Sequence, residues 1–199
     1  MLTDQQKKSR DRANRSKRAL LKEQKDFGFI SDGSGKRYRV NVDYVFCGEV
    51  QKAREFIRWF EDQFPDDVGE PVFLLYSAIT YFRLQERQKA RSYLLDAMLS
   101  NVYLLPTLFS KPIPKLDMWH SSNWEAPEYV KEIQEYLSEP SSEERAWFKE
   151  EFEGQLFTKI REKYIATYRA LQGERDVKVR GRILDDWRKY ESDVRANEI

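Results

Sequence analysis

Two stretches of the chain repeat one spacing of apolar and small residues at an offset of 37 positions. In YVFCGEVQKAREFIRWFEDQFP, Tyr44 is followed by Ala53, Ile57, Phe60 and Pro65. In YFRLQERQKARSYLLDAMLSNV, Tyr81 is followed by Ala90, Leu94, Ala97 and Val102, so the steps are +9, +4, +3 and +5 in both. Steps of three and four place side chains on one helical stripe. The step of nine leaves room for a chain reversal, and Gly48 suits that position because glycine reaches positive φ freely. Small residues at 53 and 90 let the second helix of each pair approach the first. The spacing predicts two helix–turn–helix pairs.

These residues resemble the tetratricopeptide repeat, whose pattern is W-x2-L-G-x2-Y, then A-x3-F, then P. The second copy offers Leu74, Ser77, Ala78, Tyr81, Ala90 and Leu94, without the tryptophan and the glycine; the first keeps the later half. Its period exceeds the usual value of about 34, which fits a longer PDDVGEP loop at 65–71. Across roughly residues 27–170, the runs GSGKRY, FPDDVGEP, SNVYLLP and WHSSN are similar to a family of small bacterial tetratricopeptide-like proteins with no assigned activity. The resemblance implies an all-α superhelix of about two degenerate repeats, extended by C-terminal helices. It supplies no catalytic residue.

The remaining segments divide the chain into a basic N-terminal helix or arm (1–26), the repeats (27–113) and a C-terminal helical extension packed on them (114–199). Residues 1–26 carry nine Lys/Arg against four Asp/Glu, a net +5 that leaves −4 for 27–199 and +1 overall. The segment 3–26 has no apolar stripe beyond Ala19, Leu20 and Leu21, so its helix is expected to fray or to need a partner. Residues 27–40 read as a turn around Asp32-Gly33-Ser34-Gly35, with a short hairpin as the alternative. Pro106, Pro112 and Pro114 cut short the helix begun at NVYLLP. Helices are then expected after Pro127, after Ser141 with Glu144 in a capping-box spacing, from about Gln155, and from about Asp176.

With 40% hydrophobic and 14% aromatic residues the chain can build a core. One cysteine, Cys47, permits no internal disulfide and reads as a buried small hydrophobe, which favours a reducing, cytoplasmic setting. The N-terminus has no apolar signal region and no run reaches 18 apolar residues, so no membrane role is expected.

Tests for chemistry give little. GSGK at 33–36 lacks both the upstream glycine and the Ser/Thr of a phosphate-binding loop, so it reads as a turn. DFG at 26–28 stands without a kinase catalytic loop. One His and one Cys offer no metal centre, and no cofactor is expected. Asp117, His120 and Asn123 are three residues apart and converge if they share a helical turn, with His120 as general base. The stronger expectation is structural: Trp119 and Trp124 bury aromatic surface while His120, Ser121, Ser122 and Asn123 satisfy backbone groups and cap the next helix.

The reading is therefore a non-catalytic protein–protein interaction module, with its partner and oligomeric state open. One surface is a groove with Leu75, Ile79, Phe82, Arg83, Tyr103 and Leu104, either open to an apolar peptide or, preferably, filled by the C-terminal helices. The other is the basic arm, with Lys7, Lys8, Arg10, Arg12, Arg15, Lys17 and Arg18. The alternatives are weak nucleic-acid contact through residues 7–25 and, last, an enzyme centred on Asp117 and His120.

Overall fold

The structure, a computed structural model, describes residues 2–198. Among these the regular structure is wholly helical, with no strand. Two compact units divide between Tyr93 and Leu94.

The first unit begins with α1 (Asp4–Phe27), opened by a reciprocal capping box. Gln6 N donates to Thr3 Oγ1 at 3.2 Å, and Thr3 N donates to Gln6 Oε1 at 2.9 Å. The helix is polar, yet it has a seat in its own chain. Ser9, Ala13 and Leu20 lie buried at steps of four and seven, on one stripe facing α2 (Val40–Phe46). The small Ser9 and Ala13 allow close approach, Leu20 adds apolar burial, and polar links fix the register. Arg12 grips the buried carboxylate of Asp43 with two nitrogens, Nε at 2.7 Å from Oδ2, and Tyr44 Oη donates to Asn14 Oδ1 at 2.9 Å.

Next come α3 (Val50–Gln63), α4 (Pro71–Arg83) and α5 (Arg87–Ser100), the last crossing the boundary between the units. Every residue from Pro71 to Phe82 is buried, as the apolar run predicts, and α4 packs on α2 and α3. Cys47 is buried too.

The repeated spacing produces the same turn twice. After α2, Glu49 N donates to Tyr44 O at 2.8 Å across Gly48, whose φ is 78°. After α4, Glu86 N donates to Tyr81 O at 2.9 Å across Gln85, whose φ is 62°. Each following alanine amide, Ala53 or Ala90, then donates to the carbonyl of that glutamate. Gln85 thus adopts the left-handed conformation that glycine fills in the first copy, against the Cβ clash that disfavours it. Gln85→Gly is expected to stabilise the protein by about 0.5–1 kcal/mol, seen as a higher thermal midpoint. An unchanged or lower midpoint would contradict the assigned strain.

In the second unit, the leading stretch of this unit is the end of α5, followed by α6 (Leu104–Leu108), a five-residue helix. An extended segment and a short 3₁₀ turn at Asn123–Glu125 lead to α7 (Tyr129–Glu132) and a second 3₁₀ turn at Gln134–Ser138. The expected helix after Pro127 is therefore split. Then come α8 (Ser142–Glu153), α9 (Gln155–Gly173) and α10 (Val177–Glu198). The capping box at α8 forms as its spacing predicts, with Ser141 N donating to Glu144 Oε2 at 2.7 Å and Glu144 N to Ser141 Oγ at 3.2 Å. α9 packs on α8 and α10, and α6 on α8.

Candidate functional site

The runs that stand out in the sequence meet in pairs, each pair within one unit. In the first, the GSGKRY turn clasps the PDDVGEP loop. Asp32 accepts from the amides of Lys36 at 2.9 Å and Arg37 at 2.8 Å, closing the turn without any strand. The expected alternative of a hairpin is absent, because the Asp32 side chain takes amides that a ladder would need. Arg37 Nε and Tyr38 Oη both donate to Asp67 Oδ2, at 2.9 and 2.7 Å, and Arg39 Nη2 donates to Glu70 Oε1 at 3.0 Å. Burial, with the hydrogen bond to Asp67 adding to it, pushes the Tyr38 hydroxyl up. Gly69 takes φ 86°, and a Cβ there would meet Phe73 Cδ1 at 3.0 Å, so any other residue would strain the loop at this turn.

In the second unit, SNVYLLP clasps WHSSNWEAP. Asn101, buried, donates from Nδ2 to Trp124 O at 2.6 Å and Ala126 O at 3.1 Å, while its Oδ1 accepts from Tyr103 N at 2.9 Å. Tyr103 Oη and His120 Nε2 lie 3.0 Å apart in a hydrogen bond. Burial raises the Tyr103 hydroxyl, and the charge of Glu128 adds to it.

Asp117 and His120 do not pair. The Asp117 carboxylate accepts from Gln172 Nε2 in α9, and His120 is bonded to Tyr103. Asn123 starts a 3₁₀ turn instead of sharing a helical turn with them. Trp119 stacks on Tyr168 at 5.9 Å with Arg180 over its ring at 4.8 Å, and Trp119 N donates to Tyr168 O at 3.0 Å. Trp124 differs from expectation. The residue stays 39% exposed, and its backbone carbonyl accepts from Asn101 Nδ2. Ser122 makes no side-chain cap bond, and Ser121 Oγ donates to Glu125.

No family model, curated protein or solved structure matches this chain. Among the described residues no cluster of three or more His, Cys, Asp or Glu is placed to hold a metal ion, and no helix is long and apolar enough to cross a membrane.

Of the residues expected to line a groove, Leu75, Ile79 and Phe82 in the first unit are buried, as are Tyr103 and Leu104 in the second. Arg83 is half-buried and reaches Val45 O at 3.5 Å. The basic arm is a different matter. Arg12 is committed to Asp43, Lys7 pairs with Asp4 at 3.0 Å, and Arg10 lies 3.8 Å from Asp11. Lys8, Arg15, Arg18, Lys22 and Lys25, by contrast, are exposed and have no ion-pair or hydrogen-bond partner among the described residues. Lys17 is half-buried and likewise unpaired. Steps of seven, three, four and three put the five exposed cations on one face of α1, turned away from Ser9, Ala13 and Leu20. Lys22 and Lys25 lie within the 7–25 span but outside the seven residues named for the arm; their steps of four and three from Arg18 were the available signal.

Proposed function

We propose that this protein is a non-catalytic helical interaction module, with tetratricopeptide-like helix pairs at its heart, which docks a partner through the outward face of α1. The observation that carries the reading is the set of five exposed, unpaired cations on a helix whose opposite face is fixed to α2. A helix seated by its small residues holds those charges in a fixed row, so a partner finds them already arranged. The burial of Leu75, Ile79, Phe82, Tyr103 and Leu104 weighs against an open apolar groove at those residues. The separate hydrogen-bond partners of Asp117 and His120 weigh against a catalytic pair.

The test replaces Lys8, Arg15, Arg18, Lys22 and Lys25 together by Gln. Because these side chains are exposed and unpaired, each substitution is expected to change stability by no more than about 0.5 kcal/mol, and the variant should remain folded by circular dichroism. Quantitative affinity capture should then lose the partner retained by the parent chain. Undiminished capture by the folded variant would move the docking surface away from α1.

A further inference from the structure

We infer that the outward face of α1 binds the phosphate backbone of double-stranded nucleic acid without reading its sequence. The inference rests on the docking face proposed above and assigns its occupant.

Three observations favour that occupant. First, the charge is linear. From Lys8 to Lys25 the helix advances about 26 Å at 1.5 Å per residue, a length along which a duplex presents a phosphate charge about every 1.7 Å. A linear polyanion can meet every cation in such a row, whereas an acidic protein surface must supply carboxylates at each matching point. Second, cations outnumber the acidic side chains on this face of α1. Asp4 and Asp11 share the face of the row but lie beside Lys7, at 3.0 Å, and Arg10, at 3.8 Å, and Glu23 accepts from Ser31 N at 3.0 Å, leaving exposed Asp26 next to Lys25 at the C-terminal end.

Third, the face carries charge and no aromatic ring. Proteins that hold single strands combine cations with rings on which bases stack. The exposed aromatic nearest the row is Phe27, and nine residues on from Arg18 it lies half a turn round the helix from it. The row offers Lys and Arg side chains, which meet phosphate oxygens wherever the helix lies along a duplex. Contacts of that kind position a protein but carry no sequence information.

The experiment measures fluorescence anisotropy of labelled 20-base-pair duplexes of two unrelated sequences with the full-length protein, across salt. Five phosphate contacts predict a slope of log K against log salt near −4.5, or about a 500-fold loss of affinity between 50 and 200 mM. Both duplexes should bind alike, in the micromolar range or weaker at physiological salt, where non-specific Kd values run about 10⁻⁴–10⁻⁶ M. The single variants Arg18→Gln and Lys22→Gln should each reduce the slope by about one, with folding unaltered by circular dichroism.

Tighter binding of a single-stranded 20-mer than of the duplex overturns the assignment, as does a salt-independent affinity or an unchanged slope in both variants. Poly-glutamate binding with no duplex binding overturns this inference and leaves the α1 docking reading standing. Binding of neither polyanion at 50 mM salt removes both.

Discussion

Phe73→Ala is expected to lower the stability of the first unit by about 3–5 kcal/mol, the cost of opening a large cavity where an aromatic core residue stood. Phe73 is fully enclosed. Its ring lies 4.4 Å from that of Phe60 and meets Tyr38 edge-on at 6.3 Å. The same ring backs the PDDVGEP loop, since Gly69 turns against it. Truncation therefore removes packing from α3 and α4 and also withdraws support from Tyr38, which holds Asp67. Phe73→Leu retains most of the volume and should cost about 1.5 kcal/mol or less. Urea denaturation followed by circular dichroism measures both. A loss below about 1 kcal/mol for the alanine variant would mean that the site collapses around the deletion, and the core described for this unit would be wrong.

The second large effect is expected at Asn101. Replacing it by Ala strands three backbone groups at once: the carbonyls of Trp124 and Ala126, and the amide of Tyr103. An unsatisfied buried polar group costs about 1–3 kcal/mol. Because Trp124 is partly exposed, water can reach part of this site, and the total should be nearer about 2–4 kcal/mol than the full sum. The damage should be local, with faster hydrogen exchange over residues 119–128 while α9 remains protected. Asn101→Asp keeps the acceptor for Tyr103 N but sets a carboxylate oxygen against the two carbonyl oxygens, and should cost at least as much as the alanine variant. Uniform exchange across the unit, or no change at 119–128, would contradict the role assigned to Asn101.

How far the sequence revealed these features depended on the range of the interaction. The Ser141–Glu144 box is local, so its spacing was sufficient. The buried run of α4 was equally clear, because a helix apolar on every side leaves no solvent-facing residue to explain. The seat of α1 was harder to read, since Ser9 and Ala13 are not conspicuously apolar and small size, not hydropathy, suits them to the contact. The second repeat turn was hidden because Gln85 does a job usually signalled by glycine. For the clasps, the participating runs were visible but their pairing was not. Arg37 and Asp67 are brought together only after α2, α3 and α4 have packed. The apolar residues suggested for a groove show the same limit. Hydrophobicity marked Leu75 and Ile79 as needing cover, but only tertiary structure reveals that they have it.

The two clasps also set a timetable. Arg37, Tyr38 and Arg39 find their acidic partners no further along than Glu70, whereas Asn101 must wait for Trp124 and Ala126. During synthesis from the N-terminus, every residue of the first clasp has been added before any residue of the second exists. Once α4 has been made, the first clasp can therefore close through connections of about 30 residues, while the residues of the second clasp are still to be added.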